Sequence, residues 1–159
     1  MPLFDLKRCP PGYLLRRAAA LPRPLVFTNG VFDLLHRGHA DYLARARELG
    51  ASLLVAVNDD ASVRSLGKGP DRPFNRCEDR VALLAALSCT SLVTWFSDAD
   101  GRALVERVRP DIYVKGGDYC MSTIPEGQAA LRLGARAIAI PVVHRLSTSA
   151  LAERIRADQ

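Results

Sequence analysis

Strand-like and helix-like segments alternate about five times along this chain, with short connections between them. That rhythm constrains the fold more than any other feature, because parallel strands need crossover connections and helices supply them. Leu25–Thr28 is a short apolar run ending at Asn29-Gly30. Gly38–Leu49 has helical spacing of apolar or small residues (Tyr42, Leu43, Ala46, Leu49) and stops at Gly50. Ser52–Val57 is apolar after its first residue, as a strand covered on both faces must be. The same reading predicts helices over Asp60–Leu66, Cys77–Leu87 (with Asn75 as a possible N-cap), Gly101–Val108, Pro125–Leu133 and Thr148–Arg156 behind Ser147. Further strands are predicted at Leu92–Phe96, Ile112–Val114 and Ala135–Ile140. The expectation is one doubly wound, Rossmann-like α/β domain over residues 25–159 with a five-stranded parallel sheet. Residues 1–24, which hold five prolines, are expected to form an irregular arm with one helical turn near Tyr13–Ala20.

In an open parallel sheet, ligands bind beyond the carboxyl ends of the strands, where the strand order switches. The residues just after each predicted strand are therefore the ones to inspect. After the first come Thr28, Asn29, Gly30, Val31, Phe32 and Asp33, then His36-Arg37-Gly38-His39 at the mouth of a helix. Two of the three histidines lie three positions apart, so both imidazoles project from one side of the turn. Gly38 removes a Cβ where a ligand would approach, and a helix N-terminus presents N–H groups to phosphate. A metal site would need more ligands than Asp33 can add, so no protein metal site is expected.

The formal charge is +5, and 19 of the 22 basic residues are Arg. These are scattered rather than blocked, which suits a solvated surface better than a nucleic-acid patch. The three lysines are more pointed: Lys68 lies between glycines, and Lys115 precedes Gly116-Gly117. Lys is a compact point charge suited to phosphate. Cys9, Cys77, Cys89 and Cys120 form no CxxC pair and read as reduced thiols. No apolar run approaches the roughly 18 residues of a membrane span, and no signal peptide is evident, so a cytoplasmic protein without membrane contact is expected.

Gly30-Val31-Phe32-Asp33 followed by His36-Arg37-Gly38-His39 resembles the HxGH signature of the nucleotidyltransferase superfamily, the cytidylyltransferase-like group. Class I aminoacyl-tRNA synthetases have a related motif, but need several hundred residues and a lysine signature missing here. The resemblance runs from about Pro24 to Arg156. It implies that His36, His39 and Lys68 are catalytic. It also implies that Thr28, Asn29, Gly30, Phe32, Asp33, Gly38, Asn58, Arg72, Arg80, Ser147, Thr148 and Ser149 hold the nucleotide. Ser147-Thr148-Ser149 stands where the family usually has Ser-Thr-Thr, and a hydroxyl survives at the third position. Lys115-Gly116-Gly117-Asp118-Tyr119 resembles the branch that adenylylates D-glycero-β-D-manno-heptose 1-phosphate on the way to ADP-heptose for bacterial lipopolysaccharide. Lys115, Gly116, Gly117 and Asp118 would then bind substrate, facing either the sugar phosphate or the base.

The resemblance further implies ATP and a sugar phosphate as partners, Mg²⁺ arriving with ATP, self-association, and the stand-alone form rather than a fusion to a sugar kinase. Three alternatives remain: a cytidylyltransferase for glycerol phosphate or an ethanolamine-type phosphate, a silent nucleotide sensor, and a basic nucleic-acid-binding module. Purely structural roles remain open for several residues: Asp33 or Thr148 as caps, Asp118 in a turn, Arg80 paired with Glu78 or Asp79.

Overall fold

β1 (Leu25–Gly30) is the axis of the molecule, flanked by β2 (Ser52–Asn58) on one side and β4 (Ile112–Gly116) on the other. In the computed structural model, which describes residues 2–67, 69–98, 100–144 and 146–157, five parallel strands follow the order β3-β2-β1-β4-β5. β3 (Leu92–Phe96) and β5 (Arg136–Ile140) form the edges. The order reverses between β1 and β4, so a crevice is expected there.

Helices cover both faces. α1 (Leu14–Ala19), α5 (Arg102–Val108) and α6 (Pro125–Arg132) pack on one face, where Leu14, Phe27, Leu54, Leu104, Val105, Tyr113 and Ala130 share a core. α2 (Arg37–Glu48) and α4 (Cys77–Ala86) cover the other, over Val26, Leu43, Val55, Val81, Leu84 and Val114. Side chains alternate between the two cores along each strand, which is why β2 is buried at every position. α3 (Asp60–Ser65) is a short helix capped by the Asp59 carboxylate, which accepts from Ser62 N at 2.8 Å. α7 (Thr148–Ala157) closes the chain.

The strands and helices fall close to their predicted positions. β1 runs two residues further than Leu25–Thr28, because Asn29 and Gly30 pair with Ala56 and Val57 of β2. One predicted cap is corrected. Arg76, not Asn75, occupies the N-cap of α4, without a side-chain cap. The Asn75 side chain instead donates to the Asp33 carbonyl at 2.9 Å.

The Pro-rich arm contributes to the core. Cys9, Leu14 and Ala18 are buried against Leu92, Leu104 and Val108. Cys9 N donates to the Val93 carbonyl at 2.8 Å and Thr94 Oγ1 donates to the Cys9 carbonyl at 2.8 Å. β3 is an edge strand, and the arm pairs with its backbone at Val93.

Candidate active site

The crevice at the strand-order switch is held open by the ladder itself. β1 and β4 pair only at Val26↔Ile112 and Phe27↔Tyr113, while β1 and β2 stay paired as far as Gly30↔Val57. Beyond Phe27 the two strand ends diverge, and the Tyr42 hydroxyl from α2 fills the gap. It donates to the Val114 carbonyl at 3.2 Å and takes the Thr28 hydroxyl at 2.6 Å. Burial pushes the Tyr42 phenol well above its usual range, so it remains a donor. A Cβ on Gly116 would lie 3.0 Å from the Tyr42 ring, which explains a glycine there.

A cleft of about 560 Å³ opens over this divergence. Asn29, Gly30, Phe32, Asp33, His36, Gly38 and His39 line it from β1 and the start of α2. Arg72 lines it too, with Lys115 and Gly116 at the end of β4 and Ser147, Thr148 and Ser149 at the start of α7. Segments as distant in sequence as 29–39 and 147–149 therefore face one space. Lys68 lies outside the described residues. Thr28, Asn58, Arg80, Gly117 and Asp118 are not among the lining residues.

The two imidazoles stack with ring centroids 3.9 Å apart and 22° between planes. His39 also meets the Phe32 ring edge-on at 5.5 Å. Phe32 has a φ of 49°, a left-handed backbone that is strained for a bulky side chain. Its packing against Gly30 and His39 holds that conformation. Burial, then the neighbouring His36, push the His39 pKa down to about 4, with the Leu34 carbonyl partly opposing. Burial also lowers His36. At neutral pH the His39 ring is uncharged and offers an N–H rather than a cation. Nδ1 of each ring is buried without an aligned hydrogen-bond partner among the described residues.

His36 is the N-cap of α2, and its carbonyl accepts from His39 N at 2.9 Å. Gly38 lines the cleft, where a ligand is expected to approach, and the missing side chain also serves a neighbour within the protein. A Cβ there would lie 3.0 Å from Cε1 and Nδ1 of His36, so the glycine makes room for the His36 ring itself.

Asp33 serves the protein around the cleft. Its buried carboxylate accepts from Phe74 N at 3.0 Å and Asn75 N at 2.9 Å. Arg72 Nε lies 2.6 Å from Asp33 Oδ2, off line for a hydrogen bond, and its guanidinium sits 5.0 Å from the Phe74 ring centroid. Arg72 thus enters the cleft wall as half of an ion pair.

Arg80 is wholly buried, at 0% exposure. It donates to the carbonyls of Asn75 (3.0 Å), Val31 (2.7 Å) and Asn58 (2.8 Å), and to Asp60 Oδ1 at 2.7 Å. Its ion-pair partner is therefore Asp60, not Glu78 or Asp79. It fixes the loop after β1 against the ends of β2 and α3, and Asn58 supplies one of the carbonyls it holds.

At the far wall, Ser147 Oγ caps α7 by accepting from Ala150 N at 3.1 Å, which leaves its own proton free to donate. Thr148 Oγ1 donates to the Leu34 carbonyl at 3.4 Å, tying α7 to the loop before the imidazoles. Gly117 turns the chain after β4 with a φ of 126°, a glycine conformation, and Asp118 is exposed beyond it.

Sequence reasoning missed two residues. Tyr42 reads as an apolar position of α2, and Glu126 carries no mark beyond its place in the helix predicted over Pro125–Leu133. Glu126 is buried behind β1 and β4. Its Oε1 accepts from Asn29 Nδ2 at 3.1 Å and Gly101 N at 3.0 Å, and lies 3.9 Å from Lys115 Nζ. Burial alone would raise its pKa, but the Gly101 amide, Lys115, its own amide and Asn29 together lower it. The signal available was Pro125-Glu126 at a helix start, where an acid is favoured, but nothing local points it at β1. Among the described residues, no group of three or more His, Cys, Asp or Glu gathers to hold a metal ion, and no helix is long and apolar enough to cross a membrane.

A family model described as "Cytidylyltransferase-like" matches residues 27–153. A D-beta-D-heptose 1-phosphate adenylyltransferase of Bordetella bronchiseptica is 58% identical over 139 residues, covering 87% of this chain and 86% of that protein. The bifunctional protein HldE of Hahella chejuensis is 45% identical over 142 residues, and there the match covers 89% of this chain but only 30% of the longer protein. Among solved structures, a lipopolysaccharide core biosynthesis protein from Thermoplasma volcanium superposes with a TM-score of 0.61 at 29% identity, over 77% of this chain and 98% of that one. Pantothenate synthetase from Thermus thermophilus shares the fold, with a TM-score of 0.59 at 18% identity over 92% of this chain and 70% of that one.

Proposed function

The chain belongs to the cytidylyltransferase-like family, and from that premise we propose that it transfers AMP from ATP to D-glycero-β-D-manno-heptose 1-phosphate. The products are ADP-heptose, a lipopolysaccharide precursor, and pyrophosphate. The observation that carries this reading is the 58% identity to the heptose 1-phosphate adenylyltransferase across most of both chains. The cleft agrees with it: stacked imidazoles at one helix start face the hydroxyls of another across a space fit for a triphosphate.

An oxygen of the acceptor phosphate attacks the α-phosphorus of ATP. The bond from that phosphorus to the bridging oxygen of the β-phosphate breaks, and its electron pair leaves with pyrophosphate. The attacking oxygen needs no base, since a phosphate monoester has its second pKa near about 6. The difficulty is repulsion between two polyanions, so the protein's task is to present donors where charge builds up. His36 and His39 donate from stacked rings, and the α2 N-terminus adds its dipole. Ser147, Thr148 and Ser149 meet the β- and γ-phosphates, with Lys68 and Arg72 adding positive charge. Gly30 and Phe32 form the floor beneath the nucleotide, and Lys115 with Gly116 faces the acceptor phosphate or the base. Thr28, Asn29, Asn58, Asp33 and Arg80 act through the backbone they fix, and Gly117 and Asp118 shape the turn beyond β4.

Asp33, the one carboxylate among the described residues of the cleft lining, already holds Arg72 and two backbone amides. The donor set therefore suits phosphate oxygens, and Mg²⁺ would be held by ATP rather than by a protein cage, where it would supply positive charge to offset the repulsion between the two substrates. A reaction drawing on ATP belongs to the cytoplasm. Self-association belongs to the same reading, and light scattering tests it.

The deciding assay offers ATP or CTP with heptose 1-phosphate, glycerol 3-phosphate or phosphoethanolamine and follows pyrophosphate release. Release with ATP and the heptose phosphate alone is the expected outcome. Turnover of CTP with glycerol phosphate would overturn the assignment.

A further inference from the structure

Glu126 is 6% exposed, in the first turn of α6, and is not part of the cleft wall. Burying a carboxylate is expensive unless donors offset the lost water. Two of its neighbours, the Asn29 amide and the Gly101 N–H, ask only for an acceptor. A neutral glutamine oxygen would serve both. Of the three contacts, the one to Lys115 Nζ at 3.9 Å is the one that calls for negative charge. The surroundings are tightly built: a Cβ on Gly101 would lie 2.7 Å from Asn29 Cγ, so Asn29, Gly101 and Glu126 are locked together. Lys115 also reaches the Asn29 carbonyl at 3.4 Å, at the end of β1 where the cleft begins.

We propose that Glu126 is a positioning residue whose charge holds the Lys115 ammonium at the mouth of the β1–β4 divergence, aimed at a substrate phosphate or base. The charge acts from behind the cleft wall, while Lys115 itself lines the cleft. This inference rests on the reading of Lys115 as a substrate-binding group.

A double-mutant cycle tests it, with kcat and KM measured for both substrates in wild type, Glu126→Gln, Lys115→Met and the double variant. Glu126→Gln should lose roughly tenfold in kcat/KM, mainly as a raised KM for the substrate that Lys115 meets, with an unchanged circular dichroism spectrum. Lys115→Met should lose at least as much, and adding Glu126→Gln to it should cost less than about twofold more. A folded Glu126→Gln enzyme with wild-type kinetics, or a full tenfold loss in the Lys115→Met background, overturns the proposal while leaving the role of Lys115 intact. Wild-type kinetics in Lys115→Met would instead remove the reading beneath it, and the proposal with it. Should Glu126→Gln not fold, Glu126→Asp takes its place in the same cycle, since an arm one methylene shorter withdraws the charge from Lys115.

Discussion

The His36 ring stacks on the His39 ring at 3.9 Å, and the absent side chain of Gly38 is what gives it room. This gives the glycine a part in shaping the machinery, and it separates stability from activity. Gly38→Ala places a methyl 3.0 Å from two atoms of the His36 ring. In a helix, glycine to alanine ordinarily gains about 0.5–1 kcal/mol. The variant should melt at or slightly above the wild-type temperature yet turn over about tenfold more slowly, because the ring must shift by a few tenths of an ångström. Wild-type kcat in Gly38→Ala would show that the stacking does not matter for turnover.

His39→Ala should lower kcat by about 10²–10³, the usual loss of one transition-state donor, with a native circular dichroism spectrum. A folded variant with near-full activity would remove His39 from the chemistry.

Burial also gives His39 a pH signature. Its folded pKa of about 4 lies below the ordinary histidine value of 6.5. Between those values the unfolded chain binds more protons than the folded one, so stability falls as pH drops through that window. Thermal melts from pH 7 to pH 4.5 should show wild type losing about 4–8 °C more than His39→Asn, equivalent to roughly 2 kcal/mol. Parallel slopes for the two proteins would contradict the burial argument.

Arg80 holds four acceptors from four segments, and no other side chain type reaches them all. Arg80→Met leaves Asp60 and three carbonyls without that donor and should destabilise by about 3–5 kcal/mol, lowering Tm by about 10 °C. Arg80→Lys should recover little of this, since one ammonium cannot reproduce the planar fork. A Lys variant melting with wild type would refute the clamp.

Much of this protein is local. The βα alternation, the buried strand β2 and the helix stop at Gly50 all follow from short-range spacing, and each lies within a few residues of its predicted place. So does the start of α2: two imidazoles three residues apart on one turn must face the same way. Ser147 as cap of α7 is equally a matter of three-residue reach.

Pairings across the chain were not legible in that way. Arg80 has acids beside it at Glu78 and Asp79, yet its partner is Asp60, 20 residues away and brought close by the β2–α3 turn. Asn75 has the right chemistry for an N-cap, but the Asp33 carbonyl, 42 residues distant, takes its amide. The proline-rich arm looks irregular because its partner, the exposed edge of β3, exists only once the sheet has formed. Residue spacing therefore determined the elements and the paired imidazoles. Tertiary structure decided which strands diverge, what fills the gap, and which charges meet, because strand order and buried ion pairs depend on segments that become neighbours only when the two cores close.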